Sequence, residues 1–343
     1  MRPFFENNVL QQQPFKPMII VVDTTKAGSA SNTFVLPIIK GTTETVKIYW
    51  GDGTNSTGVN GDNTHVYAAS GIYTIKIESR LFGGIYFNNL GDKAKITKIA
   101  NYGQGVSRLN TGSFFGCSSL LSIDIGNIVS NGADASHQYR GCTALTTVPL
   151  FNLSKVTNAT SMFAYCAALT TVPLFNLSSV TNATSMFAYC TALTTVPLFD
   201  LSSVTNAYTM FYQCTALTTV PLFDLSSVTN AYAMFTLCPL TTVPLFDLSK
   251  VTNATSMFLQ CTKLTTVPLL NLSSCTNASN MFAGVTLTTQ SYSDFLINLA
   301  TLPLQSGVSF HGGNSKYNPT AAIARAYLIS NFGWTITDGG AAP

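Results

Sequence analysis

The chain has 343 residues, 46% of them hydrophobic and only 9% charged, with a formal net charge of +3. Disordered chains combine high charge with few apolar residues, so this composition excludes global disorder. The small net charge is too little to suggest the electrostatic footprint of a nucleic-acid-binding protein. The longest aliphatic run near the start, Met18 to Val22, falls far short of the ~18 residues that a membrane-spanning helix needs.

Residues 1–16 are polar, contain Gln11-Gln12-Gln13-Pro14, and are expected to be a tail that anchors the protein to a larger particle. Residues 17–90 read as β. Met18–Val22, Thr33–Ile39, Val46–Trp50 and Ile72–Ile77 are strand-like, with Gly-, Asn- and Ser-rich turns between them. Trp50-Gly51-Asp52-Gly53-Thr54 forms a tight turn after one of these strands. The expectation is a small β-sandwich with alternating faces.

Residues 91–285 are dominated by a repeat. Cys142, Cys166, Cys190, Cys214 and Cys238 recur every 24 residues, and Cys261 follows after 23. The unit reads C-x-x-L-T-T-V-P-L-F-[ND]-L-S-x-V-T-N-A-x-x-M-F-x-x, with a degenerate copy from Cys117 and a half-unit over 96–116. Leu145, Val148, Leu150 and Leu153 follow the leucine-rich-repeat spacing, which predicts stacked coils burying a continuous apolar column. Within a coil we expect a strand at 147–151, an extended piece at 156–158 and a short helical turn at 161–165. Pro149 and its copies argue for a short or irregular strand, because Pro gives no ladder N–H.

The cysteines suit neither disulfides, whose geometry stacked parallel Cβ vectors do not match, nor zinc-ligand spacing. In the last unit Val285 stands in the Cys column and Cys275 in the Val column, so Cys serves as a small buried hydrophobe. The column Asn158, Asn182, Asn206, Asn230, Asn253 and Asn277 is expected to bond along the stack and to cap turns. The columns that vary point to a binding face. Tyr165, Tyr189, Tyr208, Tyr212 and Tyr232 form either an exposed aromatic strip for a partner or neutral variation on a solvated face. The column Phe151, Phe175, Phe199, Phe223, Phe246 and Leu270 is either an exposed ridge or core, with core favoured.

Residues 286–343 read as a closing cap with a helix at 289–299, a strand and loop over 308–314, an Ala-rich helix at 320–330 and a strand at 334–337. An open stack exposes its core and a sheet edge, so a cap is required.

Two resemblances add to this reading. Tyr49-Trp50-Gly51-Asp52-Gly53-Thr54, followed by Thr64-His65-Val66-Tyr67 and Gly71-Ile72-Tyr73-Thr74, resembles the PKD-type immunoglobulin-like domain. That resemblance implies core roles for Trp50 and Tyr73 and turn-orienting roles for Asp52 and His65, with a calcium role conceivable at Asp52 or Asp62. Lys155 to Phe163 with Cys166 to Thr170 is similar to the BspA-like leucine-rich repeats of bacterial surface proteins, although Val-Pro-Leu stands where Leu-Asp-Leu is usual. The implied fold class is mainly β with short helices. It comprises an immunoglobulin-like (PKD-like) β-sandwich, a leucine-rich-repeat solenoid of ~24-residue units and an α/β C-terminal cap. Such proteins occur on bacterial surfaces and in bacteriophage structural modules, which implies adhesion or assembly.

Catalysis is not expected. His65, His137 and His311 lie in three separate segments, and no nucleophile, metal or phosphate-loop motif accompanies them. No cofactor is implied. The start Met1-Arg2-Pro3-Phe4-Phe5 lacks the pattern of a secretory signal, which favours a bacteriophage virion protein over a bacterial cell-surface adhesin. The expected partners are other virion proteins through residues 1–16, and a host surface glycan or protein through the repeats. Neither nucleic acid nor a membrane span is expected. A structural module that self-associates is a further alternative.

Overall fold

The computed structural model describes residues 16–40, 45–79, 82–103, 111–124 and 133–343. Almost all of the expected tail, Ile128 of the degenerate copy and part of the expected half-unit lie outside the described residues. The chain is mainly β, with two α-helices and open sheets among the described residues.

The strands begin where the apolar alternation is strongest. β1 (Met18–Asp23), β2 (Thr33–Lys40), β3 (Val46–Tyr49) and β6 (Ile72–Glu78) match the four expected strands within a residue or two. Three more are polar or Gly-rich, namely β4 (Asn55–Gly58), β5 (Gly61–Val66) and β7 (Phe82–Ile85). They have little apolar periodicity of their own and form by pairing with β3 and β2. Strands β5, β2 and β7 make one sheet. The other runs β4-β3-β6-β1-β8-β9, where β8 is Ile96–Tyr102 and β9 is Ser122–Ile123. Ile20, Val22, Phe34, Leu36, Ile48 and Ile75 are fully buried in the shared core.

The sheet does not stop where the repeats were expected to begin, at residue 91. β8 pairs antiparallel with β1 and parallel with β9, so the first coils extend the N-terminal sheet. The backbone ladder of the repeats also reaches back across that boundary. Phe87 N–H donates to Ser113 O at 3.0 Å, and Phe114 N–H to Gln138 O at 2.9 Å.

From Asp134 onward the coils stack in parallel, joined by single-residue bridges along Asp134, Asn158, Asn182, Asn206, Asn230, Asn253 and Asn277. The expected strand at 147–151 does not form. Pro removes one donor per coil, and from the second coil onward the residue two places later turns back on it. Phe175 N–H donates to Pro173 O at 2.9 Å and Phe199 N–H to Pro197 O at 2.8 Å. This i to i+2 bond is a γ-turn, which sends its central residue outward and the next inward. The Phe column is therefore core, with Phe151, Phe175, Phe199 and Phe223 each buried. The Leu150 column, expected in the core, is outside: Leu150 is 64% exposed and Leu222 58%.

The expected helical turn at 161–165 is also not helical. Ser161 and Tyr165 adopt left-handed φ values of 53° and 64°, and the pattern recurs at Ser185 and Tyr189 with 54° and 62°. Alternate N–H groups face opposite ways as a result. Ser161, Phe163 and Tyr165 donate to Thr184, Met186 and Ala188 of the next coil, while Met162 and Ala164 close local turns to Ala159 and Ser161. Each coil thereby uses its backbone donors along the stack, and Met162 and Phe163 point inward.

The core is a pair of aromatic columns. Phe163, Phe187, Phe211, Phe235, Phe258 and Phe282 stack at 5.5–5.7 Å between successive centroids. Phe151 to Phe246 run alongside. All eight cysteines are free and buried. Their thiols also make a contact that spacing alone does not reveal: Cys166 Sγ donates to Tyr139 O and Cys190 Sγ to Phe163 O, each at 3.2 Å. Burial pushes the Cys166 thiol up to about 12.

The asparagine column caps turns but does not bond amide to amide. Asn158 Oδ1 accepts from Thr160 N–H at 3.1 Å and from Thr160 Oγ1 at 2.6 Å. Asn152 and Asp200 do the same for Ser154 and Ser202, which explains why Asn and Asp alternate in that column.

The far end is closed by α1 (Thr289–Leu299), β10 (Ser309–His311), α2 (Pro319–Phe332) and β11 (Thr335–Thr337). β10 takes the place of a further coil, since Ala278 and Phe282 N–H donate to Ser309 and His311 O. Helix α2 starts at Asn318, whose side chain accepts from Ala321 N–H, and stops at Gly333 with φ 66°.

Candidate functional site

The column that holds Tyr165 and Tyr189 is left-handed at every coil. Gly116, Gly141 and Gly284 occupy it at the two ends, whereas Tyr165, Tyr189, Gln213, Leu237 and Gln260 occupy it between. A side chain there is disfavoured by about 1–2 kcal/mol relative to glycine, because Cβ crowds the carbonyl. Tyrosine is thus placed against local backbone preference, and its ring projects out of the core.

All five tyrosines singled out from the sequence line one groove. Tyr165, Tyr189, Tyr208, Tyr212 and Tyr232 share a cavity of about 330 Å³ with Arg140 and with Ser161, Ser185 and Thr209. Tyr165 and Tyr189 stack with centroids 4.4 Å apart and planes within 10°. Tyr212 meets Tyr189 edge-on at 5.2 Å, and Tyr208 stacks on Tyr232 at 4.7 Å. Burial, followed by the neighbouring Tyr165 and Tyr212, pushes the Tyr189 hydroxyl above its ordinary value. Beside these rings Ser185 Oγ and Thr209 Oγ1 lie 2.6 Å apart.

Sequence reasoning missed Arg140. Its guanidinium lies 5.3 Å from the Tyr165 ring centroid and 5.1 Å from that of Phe115. A signal was available, because Arg140 is the one arginine between Arg108 and Arg325 and sits at the head of a nearly uncharged repeat. The adjacent His137 is held below its usual value, by burial first and by Arg140 second. The lining holds hydroxyls, one cation and no carboxylate, thiol or imidazole. Such a surface offers hydrogen-bonding hydroxyls and one positive charge.

A second surface is apolar. Leu150, Leu174, Leu198, Leu222, Leu245 and Leu269 form a row of leucines, each more than half exposed. The Phe column, for which core was favoured over an exposed ridge, is core, and the γ-turn at Pro puts the ridge one residue earlier.

In the N-terminal region, Trp50 is buried and stacks on His65 at 4.8 Å. Tyr73 is half-buried against Tyr67. Asp52 accepts from Thr54 Oγ1 at 2.6 Å and pairs with His65 at 2.7 Å. Partial burial raises Asp52, but the bonds from Thr54 and His65 outweigh it and hold the carboxyl at about 2. That carboxylate is spent on the turn. Among the described residues no three His, Cys, Asp or Glu side chains gather as metal ligands.

The profile of a family described as "Mycoplasma protein of unknown function, DUF285" matches residues 133–242 and 223–295. These spans cover the regular coils and the start of α1, so over that part the chain is similar to this family. No curated protein matches the chain, and no solved structure matches it. No helix among the described residues is long and apolar enough to cross a membrane.

Proposed function

We infer that this is a non-enzymatic adhesion protein that recognises its partner through the tyrosine groove. In this reading the N-terminal sheets are an immunoglobulin-like, PKD-like spacer, and the coils are a leucine-rich-repeat solenoid of the BspA-like kind. The convergence of five tyrosines from four coils on one groove carries the inference. Core packing does not require Tyr165 and Tyr189, whose column accepts glycine at a disfavoured φ, nor the other three, whose columns hold Thr, Ser or Ala in other coils. The setting we assign is the exterior of a bacteriophage virion, with host recognition as the task. A bacterial cell surface is the alternative that the Mycoplasma family match favours.

The test is retention of host cells on a surface coated with the purified chain. Wild type should retain cells, and a variant carrying Tyr189→Gly and Tyr208→Ser should lose at least about tenfold, with its fold intact. Equal retention by the variant rejects the groove. Mass spectrometry of purified particles decides between the settings, since a virion protein must be present in every preparation.

The leucine ridge favours a second reading, self-association as an assembly module. A row of six exposed leucines exceeds the scattered apolar residues of an ordinary surface.

A further inference from the structure

The groove ends on a cation whose donors are unspent. Arg140 is half-buried and packs between the rings of Phe115 and Tyr165. Among the described residues it has no ion-pair partner within 4.0 Å and its side chain makes no hydrogen bond. A guanidinium clamped between two rings loses little rotamer freedom on binding, and its N–H fork matches a planar carboxylate.

The tyrosines extend the same preference. Tyr165 and Tyr189 cover one another's faces, Arg140 lies over Tyr165, and Tyr212 stands edge-on to Tyr189. Few faces of the Tyr165 and Tyr189 rings remain for an apolar ligand. What the groove offers is ring edges, which carry the positive end of the aromatic quadrupole, together with phenolic and aliphatic hydroxyls. Both favour an oxygen-rich ligand. The backbone is not available to a peptide strand, because Ser161, Phe163, Tyr165, Ser185, Phe187 and Tyr189 all donate their N–H to the next coil. A cavity of about 330 Å³ sits at the small end of ligand pockets, ~300–1,000 Å³, which suits one or two sugar rings.

We propose that the groove binds an acidic oligosaccharide. A sugar carboxylate seats against Arg140, and the hydroxyls of adjoining sugars bond along Tyr189, Tyr212 and Tyr208. This rests on the groove being the recognition site.

The experiment is calorimetric titration of the full chain with a panel of uronate- and sialate-containing oligosaccharides, their carboxyl-reduced neutral counterparts, and a glutamate-rich peptide. At least one carboxylated sugar should bind, and its reduction should weaken binding by about tenfold or more, the expected worth of a charged hydrogen bond. Arg140→Gln should cost the same factor for the acidic sugar and nothing for the neutral one. Arg140→Lys, which keeps the charge without the fork, should fall between, and both variants should melt as wild type does. No binding across the panel, equal binding of acidic and reduced sugars, or indifference to Arg140→Gln would overturn the proposal. Tighter binding of the peptide would overturn it in favour of an acidic protein partner. Tyr189→Gly separates the two levels. If it abolishes binding while Arg140→Gln does not, the groove stands and the acidic ligand falls; if it changes nothing, the groove itself is wrong.

Discussion

Replacing Tyr189 by Gly separates a side chain kept for binding from one kept for folding. Tyr189 sits at φ 62°, where glycine carries no Cβ penalty, so the change relieves about 1–2 kcal/mol of backbone conflict. It also removes one stacked ring pair with Tyr165 and one edge contact with Tyr212, each worth about 0.5–1.5 kcal/mol. These opposing effects nearly cancel, and the expected change in stability is within about 1 kcal/mol of zero. The control is Phe187→Ala, two residues earlier in the same turn. Phe187 is fully buried and stacks on Phe163 and Phe211 at 5.7 and 5.6 Å, so its loss should cost about 3–5 kcal/mol. Urea unfolding followed by circular dichroism reads both. The midpoint of the repeat transition should hardly move for Tyr189→Gly and should drop sharply for Phe187→Ala. If the two variants are equally destabilised, the tyrosine is structural and the case for a binding column collapses.

Three further outcomes follow from the same geometry. Leu198→Gln with Leu222→Gln should shift the molar mass in light scattering from an assembly to a single chain, while leaving the melting temperature nearly unchanged. A wild-type chain that already runs as a monomer contradicts the assembly reading. The cysteines should resist a thiol reagent in native buffer and all eight should react in denaturant, because the fold buries every one of them; rapid native labelling of several would show that the coils open readily. Acidification should destabilise the N-terminal region. Asp52 is lowered from 3.8 to about 2 in the fold, so its contribution is complete above about pH 4 and is lost as pH falls through 2. Asp52→Asn should flatten the acid limb of the stability profile, and an unchanged limb would show that the Thr54 and His65 bonds do not matter.

Much of this architecture was legible in the sequence because it is periodic. The Cys, Phe, Met and Leu145 columns point inward as the spacing requires, and α1 covers the expected residues 289–299. What was not legible depends on backbone geometry that a hydrophobic pattern does not encode. The γ-turn after Pro173 reverses the alternation, so Leu174 is out and Phe175 is in. The left-handed pair at Ser161 and Tyr165 replaces a helical turn, and its sequence trace is glycine in the Tyr165 column at Gly116, Gly141 and Gly284, with Gly112 and Asn280 in the Ser161 column. Strands β4 and β5 are polar and exist through pairing. The tyrosines were found because they vary where the core does not dictate them. Arg140 was missed because it belongs to an irregular copy at the head of the stack, outside any column being compared.

The central claim is that the tyrosine groove is where this protein meets its partner. The most direct measurement is a structure of the chain bound to the glycan fraction released from the cells it retains. The account predicts density lying along Tyr189, Tyr212 and Tyr208, with an anionic group against Arg140. Density confined to the leucine ridge or to the N-terminal sheets, with the groove left to solvent, would contradict it.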